Sequence, residues 1–571
     1  MQVSDRDGKT YDLVVLGGGA AGMTAALTAR LHGLEPLLLE SSACLGGATA
    51  VSAGSVWVPN ALPGTSEDSL EGARRYLALA VGEHGSAVLR EAFLSQGPAM
   101  IKLLGEETAV RFAPYPHHPD YLQHVDGATL CGRSLEPLPF DGRRLGQAFA
   151  LLRPPIPEFL LLGGMMVSRD DIRHLLAFPK TPAAIRHVSG LLGRYFLDRL
   201  RWPRGTRLVM GNALAARLLY ALRSLDIEIR TEASVRNLNS RGKEGFELTV
   251  DLPGDAGLVI QARRGVVLAT GGFSHHSVLR QRLFPKPVAE HSVVPACNAG
   301  GGIELGLAAG GALGKAEADP AFWAPVSLRR RRDGTTAVFP HFVLDRGKPG
   351  LIAVNRAGRR FVNEATSYQR FVEAMYRAHD DAASIPCAFI CDAEFLRRYG
   401  LGMIRPRQRR IAPFLKDGYL VTASTLRELA GKLRIDPAGL EESVARHNRF
   451  AAEGRDLDFA KGEEAYSRNL GDPNHTPNPC LGPLDKPPFF AVRVFPGDIG
   501  TSIGLQTDEY ARVLRADGTA IAGLYACGND MQSLMGGIYP GPGATIGPAM
   551  TFGYIAARHA ARGRESRGEH D

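Results

Sequence analysis

Apolar positions in this chain fall into two kinds of run. Short unbroken stretches, "DLVVL" at 12–16 and "EPLLLE" at 35–40, look like strands buried on both faces of a parallel sheet. Others are interrupted at helical spacing. "MTAALTARLHG" (23–33) has helical composition with a glycine stop at Gly33. "PAAIRHVSGLLGRYFLDRLRWPRG" (182–205) predicts a helix with Ile185, Val188, Leu191, Leu192, Phe196 and Leu200 on one broad face. "GVVLATGGF" (265–273) and "GTAIAGLYACGND" (518–530) each predict a strand ending in a Gly-containing turn, and "GGIELGLAAGGAL" (301–313) predicts a helix. "GLQTDEYARVLRADG" (504–518) reads as a hairpin.

The first strand runs into "GGGAAG" at 17–22, then a helix, then the second strand ending at Glu40. Strand, Gly-rich turn, helix, strand and acid within about 30 residues form a dinucleotide-binding unit. Gly17 makes the tight turn and Gly19 admits a pyrophosphate. Gly22 lets the helix lie on the sheet, and Glu40 can accept a hydrogen bond from a ribose hydroxyl. After Glu40, "SSACLGGATAVSAGSVWVP" offers a second Gly pair, Gly46 and Gly47, and the hydroxyls of Thr49 and Ser52. With the later strand-to-Gly junctions, this suits a large dinucleotide such as FAD held by both ends of the chain. The expected non-covalent FAD contacts are Gly17, Gly19, Ala20, Ala21, Gly22, Glu40, Ser41, Gly46, Gly47, Ala48, Thr49 and Ser52. Further on they are Ala269, Thr270, Gly271, Gly528, Asn529, Ala544 and Ile546.

Composition narrows the class without changing it. The 571 residues are 44% hydrophobic and 22% charged, as in globular proteins, and are long enough for two domains. The net charge of +8 admits anionic ligands or an anionic membrane surface without demanding either. Seven scattered cysteines give no disulfide framework and point to a reducing, cytoplasmic setting, with Cys387 and Cys391 of "CAFIC" read as buried thiols. The N-terminus carries no signal-peptide pattern, and no apolar run reaches transmembrane length. No metal motif is present; the adjacent pairs His117–His118 and His275–His276 are poorly spaced to chelate one ion. "RRRR" (329–332) and "RPRQRR" (405–410) lack a nucleic-acid recognition motif and read as solvated basic faces.

"GLYACGN" (523–529) followed by "YPGPGATIGPAMTFGYIAA" (539–557), with the N-terminal unit and "GRRFVNEATSY" (358–368), resembles the flavin-dependent fumarate reductase/3-ketosteroid dehydrogenase superfamily. Within it the chain is most similar to the 3-ketosteroid Δ1-dehydrogenases. The resemblance implies an α/β fold: a Rossmann-like FAD-binding domain of the GR2 type with an inserted α+β substrate-capping domain. We place the FAD-binding domain at 1–325 and 491–571 and the capping domain at 326–490.

The resemblance also implies roles. Tyr539 and the Gly543 N–H would hold a ketone oxygen, and Tyr368 would be the base at the neighbouring carbon. Tyr121 of "YPHHPDY" (115–121) would hydrogen-bond the base, with Tyr115 a second candidate. The reaction implied is FAD-dependent 1,2-dehydrogenation of a 3-ketosteroid, with proton removal at C2 and hydride transfer from C1 to flavin N5. Electrons would leave to an external acceptor of quinone or dye type. The alternatives are desaturation of another cyclic ketone, of the Δ4-(5α)-ketosteroid or oxocyclohexane carboxylate type, and a flavin-bound scaffold without turnover. The chain exceeds compact family members over about 150–212. There, a basic amphipathic helix ending near Trp202 fits peripheral contact with a membrane, and equally a helical pair packed on the flavin domain or at a subunit interface.

Overall fold

A computed structural model describes residues 9–62 and 68–562. The N-terminal eight residues, part of the stretch read for a signal peptide, lie outside them.

The runs read as buried strands form the middle of an eight-stranded sheet. Its path is Arg512–Leu514, Ala520–Ala526, Asp255–Leu268, Thr10–Leu16, Pro36–Leu39 and Glu228–Arg230. The central strands are parallel, with Val14 opposite both Val266 and Leu37 and with Val266 opposite Leu524. Leu13, Val14, Val15 and Leu16 are all buried, because helices cover both faces. Helix Ala20–Leu31 packs against the last helix, Ile546–Arg562. The approach is close: a Cβ on Gly553 would lie 2.4 Å from the Ala21 carbonyl oxygen. Opposite ends of the chain thus share one layer.

A second sheet of seven strands follows the order Thr336–Pro340, Ala321–Arg330, Phe489–Thr501, Cys387–Cys391 and Leu351–Val354. His291–Ser292 and Val421–Ala423 also pair with Phe489–Thr501. The expected domain limits at 325 and 491 fall inside strands Ala321–Arg330 and Phe489–Thr501. Both strands pair along their length within the second sheet. Cys387 and Cys391 are buried there, and burial pushes both thiols up.

The extra segment contains helices Arg169–Ala177 and Pro182–Arg199, which pack on each other. The face expected of the second helix is split. Val188 is buried alongside Ala184 and Tyr195, whereas Ile185, Phe196 and Leu200 are exposed, Leu200 by 79%. Trp202 turns inward, its ring 5.3 Å from that of Phe149. The apolar run at 157–167 is a tight turn, with main-chain bonds between Leu161 and Met165 that leave Leu162 exposed. Among the described residues no helix is long and apolar enough to cross a membrane.

Candidate active site

The Gly-rich turn is shaped by close contacts. Gly17 has φ +109°, and a Cβ on Gly22 would come within 1.9 Å of the Gly17 carbonyl oxygen. The Gly18 N–H donates to Glu40 Oε2 at 2.8 Å, while Glu40 Oε1 accepts from Ser42 N–H at 2.9 Å and Ser42 Oγ at 2.7 Å. A carboxylate so held keeps lone pairs free for a further donor. Ala20 N–H donates to Thr49 Oγ1 at 3.2 Å, and a Cβ on Gly47 would lie 3.4 Å from Gly19 Cα. The two Gly-rich passes therefore face each other. A Cβ on Gly19 would meet nothing within 4 Å, so the turn opens onto free space in front of a helix with no side-chain cap. Ser52 is drawn elsewhere. Its hydroxyl donates to the Thr49 carbonyl and accepts from the Gly54 N–H, closing a local turn.

Asp530, which no sequence motif marks, ties the later junctions together. Its buried carboxylate accepts from Thr270 N–H at 2.5 Å and Gly272 N–H at 2.8 Å. That bond joins the turn after Asp255–Leu268 to the turn Gly528–Asp530. A cleft beside them is lined by Thr501, Gly528, Asn529, Ala544 and Thr545, and it reaches Phe322. A helix N-terminus opening onto free space, a partly committed acid on the second strand and a Gly-lined cleft together fit an FAD. Gly17–Gly22, Glu40 and Gly46–Thr49 would hold its dinucleotide part, and the cleft at Gly528–Thr545 its ring end.

Four tyrosines cluster together, and one of them, Tyr539, meets the cleft residues Thr545 and Phe322. Tyr368 opens helix Tyr368–His379, whose N-cap Ser367 accepts from the Arg370 N–H. Tyr539 lies in the loop before the last helix. Its hydroxyl is within hydrogen-bond reach of Tyr368, of Thr545 and of the Gly543 N–H. Tyr121 donates to the Tyr368 hydroxyl at 3.1 Å. Ring centroids are 5.4 Å apart for Tyr368 and Tyr539 and 5.6 Å for Tyr121 and Tyr539. The fourth ring, Tyr466, lies 4.7 Å from Tyr121 and was not singled out in the sequence. No local signal marks it, because it sits in a short helix, Ala465–Leu470, far from the others in sequence. Tyr115 stands apart, its hydroxyl accepting from Arg169 at the surface.

The loop carrying Tyr539 is fixed by its own backbone. The Pro540 carbonyl accepts from Tyr76 Oη at 2.6 Å and from the Tyr121 N–H at 2.8 Å, and the Pro542 carbonyl accepts from Ser134 Oγ at 2.8 Å. Gly543 has φ +96°, and a Cβ there would lie 2.5 Å from the Ser55 carbonyl oxygen. Only glycine fits that crossing. This accounts for the Gly-Pro punctuation of "YPGPG".

Burial pushes the Tyr121, Tyr368 and Tyr539 hydroxyls up from the ordinary phenol value. An opposing influence is Arg346, a guanidinium with no exposed surface that donates to the carbonyls of His341 and Glu364, each at 2.8 Å. Its charge favours ionisation of Tyr121 and Tyr466. The motif "RRFVNE" supplies a separate buried ionic cluster. Arg360 bonds Glu364 and Asp456, and Lys461 bonds Glu364, fixing the turn that leads into Tyr368. Among the described residues no group of three or more His, Cys, Asp or Glu could hold a metal ion.

Residues 12–546 match the FAD binding domain family. The chain is 37% identical to the 3-oxosteroid 1-dehydrogenase of Mycobacterium tuberculosis (strain ATCC 25618 / H37Rv), over 96% of this chain and 98% of that protein. It is 36% identical to the 4-oxocyclohex-2-ene-1-carboxylate 5-dehydrogenase of Sinomonas cyclohexanicum, over 96% and 94%. The crystal structure of the 3-ketosteroid delta1-dehydrogenase from Sterolibacterium denitrificans in complex with 1,4-androstadiene-3,17-dione superimposes with a TM-score of 0.90 at 37% identity. That match covers 97% of this chain and all of the other. By sequence and by fold, the chain belongs to the FAD-dependent family of the 3-ketosteroid Δ1-dehydrogenases.

Proposed function

We propose that this protein introduces a double bond between C1 and C2 of a 3-ketosteroid. One observation carries the reading: the hydroxyls of Tyr368 and Tyr539 and the Gly543 N–H converge beside the Gly-lined cleft. The Gly543 N–H and the Tyr539 hydroxyl lie within hydrogen-bond reach of each other, and with substrate bound both would turn to the ketone oxygen on which charge develops when the α-proton leaves. Tyr368, within reach of the Tyr539 hydroxyl, takes the proton from C2. It does so as the phenolate, to which Tyr121 donates before the transfer and whose burial Arg346 behind Tyr466 offsets; the charge then passes to the ketone oxygen and Tyr368 is left as the neutral phenol. Bound FAD supplies the acceptor for the hydride leaving C1. Electrons pass on to an external acceptor of quinone or dye type.

Anaerobic mixing of the flavin-loaded protein with 4-androstene-3,17-dione tests this. Bleaching of the flavin band with formation of the 1,4-diene is expected; an unchanged spectrum rejects that substrate. A second reading, desaturation of an oxocyclohexane carboxylate, is favoured by the equally close relative from Sinomonas cyclohexanicum. Offering both ketones side by side separates the two. The groups within hydrogen-bond reach of the Tyr539 hydroxyl, namely Tyr368, Thr545 and the Gly543 N–H, carry no positive charge, which favours the uncharged steroid.

For the extra segment we propose contact with an anionic membrane surface. Phe196, Leu197 and Leu200 are exposed on one helix end next to Leu162, whose carbonyl accepts from Tyr195 Oη at 2.8 Å. Arg199 and Arg201 flank them. Flotation with anionic liposomes is the test, and recovery only in the soluble fraction rules the contact out.

A further inference from the structure

The residue after Tyr368 has an arrangement that the chemistry above does not use. Gln369 is 2% exposed, and its amide is committed on both sides. Oε1 accepts from the Trp323 N–H at 2.6 Å. Nε2 faces two acceptors, Asp319 Oδ2 at 3.2 Å and the Gly537 carbonyl at 3.4 Å. The donor and acceptor ends cannot exchange, because a flipped amide would set oxygen against two oxygens.

Each partner belongs to the wall behind a tyrosine. Gly537 lies two residues before Tyr539, with φ +93° and so close to Asp319 that a Cβ would come within 2.2 Å of its carbonyl oxygen. The Ala318 N–H donates to the Gly536 carbonyl at 2.9 Å, which holds the same segment. Asp319 Oδ1 accepts from Trp323 Nε1 at 2.9 Å. Phe322, between them, sets its ring 5.3 Å from that of Tyr539. Residues 319–323 thus contact both the donor loop and the helix of Tyr368, and one amide closes the bracket.

We infer that Gln369 is a positioning residue: its amide, seated on Asp319, Gly537 and the Trp323 main chain, sets the separation of the Tyr368 and Tyr539 hydroxyls. This rests on the reading of Tyr368 as base and Tyr539 as donor. The Asp319 carboxyl is pushed up to about 7 by burial and by Glu373, whose carboxyl is within hydrogen-bond reach of it. Asp319 Oδ2 accepts from Gln369 Nε2 beside that carboxyl.

The test is the isosteric Gln369→Glu, which replaces the amide donor with an acceptor that regains a donor when protonated. Asp319, Glu373, Tyr368 and Tyr376 surround it, with the Arg280–Asp498 pair behind Tyr376, so rates are taken as the ratio to wild type at each pH. Flavin content and KM are expected within about twofold of wild type. The ratio of flavin bleaching rates per bound flavin is expected to be about tenfold down at pH 8 and to recover towards pH 6. Faster hydrogen exchange at 536–539 is expected at pH 8, read without turnover. A ratio near one at pH 8, or a low ratio that is the same at pH 6, overturns the proposal. Should this variant lose its flavin, Gln369→Met keeps the length and removes the hydrogen bonds. About tenfold slower bleaching at every pH is expected there, and a wild-type rate overturns the proposal. Wild-type protein that fails to bleach refutes the ketone reading instead, which separates the two failures.

Discussion

The hydroxyls of Tyr121 and Tyr368 lie 3.1 Å apart, although 247 positions separate them in the chain. Tyr121 reaches that place because its own N–H donates to the Pro540 carbonyl, on the loop that carries Tyr539. Tyr121, the proposed partner of the base, and the loop of Tyr539, the proposed ketone donor, are therefore one mechanical unit. Tyr121→Phe removes the bond to the phenolate and leaves the ring packing. A loss of about 1.5–3 kcal/mol, roughly 10- to 150-fold in flavin reduction, is expected with unchanged flavin content. Stopped-flow reduction is the measurement.

On the proposed reading, Tyr539→Phe removes one of two donors from the ketone oxygen. The expected loss is about 2.7–4 kcal/mol in the rate of flavin reduction, with flavin still bound. Gly543→Ala acts on the other donor by force: its Cβ would press on the Ser55 carbonyl and displace the N–H. Near-wild-type turnover in Tyr539→Phe would remove that residue from the mechanism.

The pH profile follows from burial. The Tyr368 hydroxyl sits well above the ordinary phenol value of 10, so the fraction ionised grows across the whole accessible range. Flavin reduction under kcat/KM conditions should rise with pH from 7 to 10, by up to about tenfold per unit, without levelling off. A plateau below pH 9 would contradict Tyr368 as the unaided base of the free enzyme.

Glu364 anchors the turn before Tyr368 through Arg360 at 2.8 Å and Lys461 at 3.2 Å, all within the buried interior. Glu364→Gln leaves two buried cations under-compensated. A destabilisation of about 3–5 kcal/mol is expected, read as a shift in the urea midpoint with flavin present.

His447 gives the protein an acid-side weakness. It has no exposed surface, its Nε2 meets the Gly482 carbonyl at 3.0 Å, and burial together with Lys461 and Arg360 lowers its pKa to about 3. Between the unfolded value of about 6.5 and 3, the unfolded chain takes up a proton that the folded chain refuses. Stability therefore falls as pH drops through that window, by up to about 1.4 kcal/mol per unit. Comparing urea midpoints at pH 7 and 5 for wild type and His447→Gln, which keeps a donor to Gly482, measures this contribution.

Much of the cofactor half was legible in the chain because its signals are local. Gly17, Gly22 and Glu40 mark a turn, a helix contact and a strand end that lie within one short stretch, and the structure sets them together as that spacing requires. The resemblance added Tyr121, Tyr368, Tyr539 and Gly543, and the fold brings all four to one place. Tyr466, Arg346 and Asp530 escaped notice. None stands in a patterned motif, and each matters through what it faces across the fold. The helix at 182–199 shows the reverse case. Helical spacing was clear in "PAAIRHVSGLLGRYFLDR", but which stripe is covered depends on Arg169–Ala177 and Tyr195, so the apolar face was divided differently.

The sequence by itself determined the dinucleotide unit, the strand and helix alternation and the glycines that permit close crossings, since these follow from steric and periodic rules acting over a few residues. Only the tertiary structure decided that "YPGPGATIGP" meets Tyr76, Tyr121 and Ser134, and that the Tyr539 hydroxyl lies within hydrogen-bond reach of both Tyr368 and the Gly543 N–H. The physical reason is burial. Hydroxyls and a guanidinium removed from water must find partners, and those partners come from segments hundreds of residues away.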